Sequence, residues 1–193
     1  YKIHVDSLSK PASYEYIDFD GMGPTPSSQY NPHEIMFSPD STKYYVSCSG
    51  NNNTGDLSVK VFNASNDILT TSVTLPSGAY EMSISQTKNL MFVTSYEATT
   101  LFPEGQVMVV DLASNSFVTS IKTGVQPHGV AVDDAAGLVY VANRNVSGAD
   151  PPHHSSVCGG TNGDLRLIDL NTLEVLEREI VLSRDPYFIS ISF

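Results

Sequence analysis

Gln126-Pro127-His128-Gly129-Val130-Ala131-Val132-Asp133, then after three residues Gly137-Leu138-Val139-Tyr140-Val141-Ala142-Asn143, decides the fold. Two runs rich in β-branched and aromatic residues flank an Asp/Gly-bearing turn, which is the pattern of a β-hairpin. The same pattern recurs at a fixed register. Pro32-His33-Glu34-Ile35-Met36-Phe37-Ser38 leads to Lys43-Tyr44-Tyr45-Val46-Ser47-Cys48. Ala79-Tyr80-Glu81-Met82-Ser83-Ile84-Ser85 leads to Asn89-Leu90-Met91-Phe92-Val93-Thr94. Pro186-Tyr187-Phe188-Ile189-Ser190-Ile191 opens a fourth copy. The copies start at 32, 79, 127 and 186, which are 47, 48 and 59 residues apart.

Each copy continues with two more apolar alternations. These are Leu57 to Phe62 and Ile68 to Thr74, then Gln106 to Asp111 and Phe117 to Lys122, then Leu165 to Asp169 and Val175 to Val181. The N-terminus matches the last two strands of such a unit, with Tyr1 to Asp6 and Tyr14 to Phe19. Asp6, Asn63, Asp111 and Asp169 share one position, where a side-chain oxygen accepts backbone N–H bonds in a hairpin turn. The one stretch with a weak helical period, Asn171 to Ile180, aligns with strand positions elsewhere. Units of four strands repeating every 40–50 residues or so are the signature of an all-β propeller of antiparallel blades. With strands lettered a to d outward from the axis, residues 1–22 form strands c–d, and 32–75, 79–123 and 127–182 form three blades. Residues 186–193 form strand a of the next blade. An arc of about 3.75 blades leaves open end faces, so the expectation is a segment of one larger propeller domain. A closed four-bladed ring lacking one strand is the alternative.

These residues resemble the YVTN-type β-propeller repeat family. Gln126 to Asn143 carries the closest match, and Phe37-Ser38-Pro39-Asp40 and Phe92-Val93-Thr94 match in part. The second unit departs, with Ala79 in place of Pro and Ser85-Gln86-Thr87-Lys88 in place of the Asp-containing turn. The resemblance implies about seven blades in the whole propeller. The stretch Pro151 to Gly160 is similar to an insertion in envelope proteins of this type from Bacteroidetes-like bacteria. That resemblance implies an extracytoplasmic location: periplasm, cell surface or a lipoprotein anchored to the outer membrane.

The 193 residues carry 10 basic and 21 acidic side chains, a formal net charge of −11. Lys and Arg are dispersed, so a nucleic-acid surface is not expected. No apolar run reaches the roughly 18–20 residues of a membrane-spanning helix, so no transmembrane segment is expected in this chain. The first residue is Tyr1 rather than Met, which suggests processing or an origin within a longer chain. No GxSxG, Walker A, GxGxxG or EF-hand pattern is present.

The long connections should share one face. They are the segment Asp20 to Asn31 and the 21-residue loop from Asn143 to Gly163. Loops on a rigid scaffold concentrate binding residues, so this face is the candidate site. It collects the polar starts of strand a, His33, Glu34, Tyr80, Glu81, His128 and Tyr187, with Arg144, His153, His154 and Cys158 from the long loop. His33, His128, His153 and Cys158 are competent ligands for Zn²⁺ or Cu²⁺. Equally, the Pro-His starts cap strands and pack at the axis, and His153-His154 point into solvent. Cys48 and Cys158 either form one disulfide or remain two free thiols.

Two classes of function follow. The first is a non-catalytic binding or scaffold propeller of the envelope, whose partners are other envelope proteins or a glycan or peptide, with no cofactor. Exposed Tyr80, Tyr96, Phe102 and Tyr187 would suit a glycan or peptide. The second is a metalloprotein or lactonase-like enzyme using His33 and His128, with Glu34 or Glu81 as general base. It is implied by resemblance to propellers that include lactonases and nitrous oxide reductase.

Overall fold

A computed structural model describes residues 2–7, 10–15, 17, 30–50, 55–145 and 162–191, the first two of these segments by their backbone only. All fourteen described elements are strands. β1 (Lys2–Ser7) and β2 (Lys10–Glu15) form a hairpin with Lys2 opposite Glu15. β3 (Pro32–Phe37), β4 (Lys43–Ser49), β5 (Leu57–Asn63) and β6 (Leu69–Thr74) form one antiparallel sheet in sequence order. β7 (Met82–Ser85), β8 (Leu90–Ser95), β9 (Gln106–Asp111) and β10 (Ser116–Ile121) form a second. β11 (Val125–Asp133), β12 (Leu138–Asn145), β13 (Asn162–Asp169) and β14 (Val175–Arg184) form a third. Among the described residues no helix is long and apolar enough to cross a membrane.

The sheets stack face to face, and the second explains why its middle strands read as unbroken apolar runs. Side chains alternate across a strand. Met91, Val93, Met108 and Val110 therefore pack against Tyr45, Val59, Val61 and Val73 of the first sheet. Phe92, Val107 and Val109 face the other way, onto Val130, Val139, Val141 and Ile168 of the third. Both faces are dry, so no polar alternation survives in β8 or β9. The outer strands β6, β10 and β14 are largely exposed and mix polar with apolar residues.

The hairpin turns use the carboxylates and amide expected of them. Asp111 accepts from the N–H groups of Ala113 and Ser114, Asp169 from those of Asn171 and Thr172, and Asn63 from Ser65. The strands are otherwise bounded differently from expectation in three places. The second strand of the N-terminal hairpin is Lys10–Glu15, not Tyr14 to Phe19, because its ladder places Lys10 opposite Ser7. Arg144 and Asn145 belong to β12 rather than to the long loop, because β11 begins at Val125 and pairs it with Asn145. Residues 186–191 have no ladder partner and form no strand. A strand a needs the strand b of its own blade, which lies beyond the last residue of this sequence.

Neighbouring sheets are also stitched through side chains. Asp134, in the turn between β11 and β12, accepts from Ser85 Oγ (2.5 Å), Thr87 Oγ1 (2.7 Å) and Gln86 N–H (2.8 Å) in the corresponding turn of the second sheet. Partial burial alone would raise its pKa, but these hydrogen bonds outweigh it and hold the carboxyl below its ordinary value. Asp134→Ala should therefore cost about 1–2 kcal/mol at neutral pH, measured by urea unfolding. A depressed pKa contributes stability above the unfolded value, near pH 4, and loses it as pH falls further. The gap between wild type and Asp134→Ala should accordingly narrow at pH 3.

Within the third sheet, Asn143 is fully buried and ties three segments together. Its amide donates to Asp164 Oδ1 (2.7 Å), and its oxygen accepts from Thr123 Oγ1 (3.0 Å) in the connection from the second sheet. Buried Asp164 is further neutralised by Arg166 Nε at 2.9 Å.

Candidate site at the strand-start end

His33, Tyr80, His128 and Tyr187 are the same residue of four successive repeats. Each is the side chain at the entry to an innermost strand. The innermost strands of adjacent sheets are neighbours, so one repeat position becomes one cluster of rings. His33 lies 5.0 Å from Tyr80 and 6.0 Å from His128 between ring centroids. His128 lies 3.7 Å from Tyr187, and Tyr96 stacks on it at 5.8 Å with the planes 6° apart. Pro32 and Pro127 precede the two histidines and favour the extended backbone that starts each strand.

Hydroxyl groups on the neighbouring strands hold these entries in register. Ser47 Oγ accepts from Glu34 N–H at 2.9 Å, and Thr94 Oγ1 occupies the same position in the next repeat, accepting from Glu81 N–H at 3.2 Å. Thr94 Oγ1 in turn donates to the His128 carbonyl at 2.7 Å, joining the second sheet to the third.

The four repeat-position side chains differ in access. His128 is fully buried, whereas His33 is exposed. His128 Nδ1 is 3.1 Å from the Tyr187 carbonyl. A carbonyl only accepts, so Nδ1 carries the proton and Nε2 is the basic nitrogen. Burial lowers the pKa of His33, which favours neutral imidazole.

Two carboxylates stand beside the rings. Glu81 Oε1 is 3.8 Å from His33 Nδ1. Glu34 accepts from Met82 N–H. Burial raises the pKa of Glu34 to about 7; the nearby charge of Glu81 adds to the shift, and the Met82 N–H opposes it. Burial also raises the pKa of Glu81. At the rim, the buried Arg144 guanidinium pairs with Asp185 and lies 5.6 Å from the centre of the Tyr187 ring. Tyr80 donates to Glu97 Oε1 at 2.5 Å, and burial, followed by that hydrogen bond, pushes its pKa well up.

The cluster thus brings together seven of the residues singled out by their repeat position: His33, Glu34, Tyr80, Glu81, His128, Arg144 and Tyr187. Three others, His153, His154 and Cys158, lie outside the described residues. Phe102 sits apart, in an open groove with Leu101, Phe117 and Val118. Thr94, Glu97 and Asp185 join the site without having been anticipated. For Thr94 a signal existed, since Ser47 stands at the same place in the preceding repeat. Glu97 and Asp185 lie in connections outside the repeating pattern, where no periodicity marks them.

Cys48, at the same end of β4, is a free and fully buried thiol. Burial pushes its pKa up to about 12; the charge of nearby Lys60 opposes the shift, and that of Asp56 adds to it. On a Cys158→Ser background, native protein should give no reaction with a disulfide reagent at pH 8 within minutes, and one equivalent in concentrated guanidinium. Rapid labelling of native protein would contradict this environment for Cys48.

No family model and no curated protein matches the chain. Solved structures do. A chain of Kuenenia stuttgartiensis hydrazine synthase superposes with a TM-score of 0.63 at 20% identity, over 89% of this chain and 42% of that one. A chain of a nidogen/laminin complex superposes with a TM-score of 0.56 at 11% identity, over 82% and 50%. U3-55K gives a TM-score of 0.58 at 9% identity, over 81% and 41%. This chain spans half or less of the length of each. At such identities the likeness concerns the fold, and the fold is that of a β-propeller-like all-β protein of four-stranded antiparallel sheets.

Proposed function

We propose that this chain is part of a non-catalytic binding or scaffold propeller of the bacterial cell envelope, a component of a larger assembly that engages its partner through the strand-start end. The observation that carries this reading is the convergence of His33, Tyr80, His128 and Tyr187, with Arg144, at one end of three stacked sheets. Aromatic rings and a guanidinium held by a rigid framework are suited to protein, peptide or glycan recognition. The YVTN-type repeat pattern supports the envelope assignment and a whole propeller of about seven blades. Ile35 and Phe37 fit that larger ring. They are 63% and 59% exposed on β3, a position where a further blade would cover them.

Cross-linking mass spectrometry of the native assembly, isolated from envelopes, tests the proposal. The expected result is a stoichiometric partner cross-linked near the strand-start end, lost in a Tyr187→Ala/Phe188→Ala variant. A strictly monomeric native protein would overturn it.

A second reading, lactonase-like hydrolysis, is favoured by Glu34, whose carboxyl with a pKa of about 7 suits a general base at neutral pH. Lactone turnover that disappears in Glu34→Gln supports it. Absence of turnover in the full-length protein removes it.

A further inference from the structure

We propose that His33, Glu81 and His128 form a binding site for one divalent transition-metal ion, with zinc as the natural occupant. One donor atom from each of the three lies within 4.8 Å of the other two. The donors come from three sheets, so the site exists only once the repeats have stacked. Two imidazoles and a carboxylate form a donor set that zinc favours and that calcium and magnesium do not.

The geometry is close to what such an ion needs. Tetrahedral zinc at about 2.0–2.1 Å from each donor places the donor atoms about 3.4 Å apart. His33 Nδ1 and Glu81 Oε1 are already 3.8 Å apart. That distance is too long for a hydrogen bond between them, so their direct contact does not account for their placement. Closing the remaining gap takes about an ångström, which rotation of the exposed His33 side chain can supply.

The buried member is held as metal ligands usually are. His128 Nδ1 donates to the Tyr187 carbonyl, which directs the basic Nε2 away from that bond and fixes the ring. The Thr94 hydroxyl anchors the His128 backbone from the neighbouring sheet. Three protein donors leave a fourth position for water or for a carboxylate of a bound partner.

The site occupies the face proposed for partner binding, yet ion binding requires no partner, so the two ideas fail separately. The test is zinc titration of the full-length protein, stripped by chelator, against a chromophoric competitor. His153→Ala, His154→Ala and Cys158→Ser are introduced first, so that only the proposed donors are read. One zinc per chain is expected, with no response to calcium. His33→Ala and Glu81→Gln should each weaken zinc binding at least tenfold. Both positions are accessible enough to tolerate substitution, and circular dichroism checks the fold of each variant. A zinc-dependent rise in thermal midpoint, reversed by EDTA, should vanish in His33→Ala. Absence of stoichiometric binding, or zinc affinity unchanged in folded His33→Ala and Glu81→Gln, would overturn the site.

Discussion

Phe92→Ala is expected to destabilise the fold by about 3–5 kcal/mol and lower its thermal midpoint by roughly 10 °C. Phe92 is the largest ring at the boundary between the second and third sheets, with no exposed surface. It stands opposite Val109 in β9 and packs with Val107, Val130, Val139, Val141 and Ile168. Those neighbours are β-branched and belong to ladders hydrogen-bonded on both sides, so they cannot collapse into the space the ring leaves. Cavity cost then adds to lost burial. The check is the midpoint of urea unfolding, with an unchanged slope showing that the native state is otherwise retained. Leu101→Ala is the control. Leu101 is 84% exposed, and its truncation should stay within about 0.5 kcal/mol. A Phe92→Ala effect as small as the control's would mean that this inter-sheet core is not formed.

The second large effect is expected at Gly105. Its φ is +97°, a region that side-chain-bearing residues rarely enter. A Cβ there would lie 2.6 Å from the Ser95 carbonyl oxygen and 2.7 Å from Pro127 Cδ. Both obstacles are rigid, one being backbone and the other a ring. Gly105→Ala should cost about 2–4 kcal/mol, combining backbone strain with overpacking. The consequence reaches the candidate site, because Pro127 carries His128 on its next residue. If the connection before β9 is forced away from β11, His128 shifts with it. Gly105→Ala should thus lower the unfolding midpoint and weaken zinc binding together. A stability loss with full zinc affinity would show that the entry to β11 is positioned by its own sheet alone.

The parts legible in the sequence are those governed by register. Four Pro- or Ala-led starts, each followed by alternating apolar residues, were enough to place three four-stranded sheets and their order. The same register brought His33, Tyr80, His128 and Tyr187 together, because equivalent positions in stacked repeats are neighbours in space. Three details lay beyond that rule. Arg144 looked like the first residue of a loop, since the residues after it lose periodicity. Its strand is extended by pairing with a partner that starts at Val125, and a single strand's pattern does not reveal its partner's length. Residues 186–191 carry a strand pattern but have no ladder partner, and pattern alone does not supply the partner. Glu97 and Asp185 enter the site from irregular connections, where position depends on backbone path rather than on any period. Glu81 had been noted for its charge; its distance from His33 and His128 makes it a third donor, and only the stacking of three sheets sets that distance.

The position shared by His33, Tyr80, His128 and Tyr187 separates recognition from stability. The residues that bind the sheets to one another, such as Phe92, Met91 and Val139, lie further along the strands and never occupy the strand entry. A substitution at an entry changes one member of the cluster while leaving the inter-sheet contacts in place. Each repeat therefore acts as an independently variable contributor to a shared surface. A lineage built on this framework can change what it binds one copy at a time, by point substitutions that selection on folding scarcely notices.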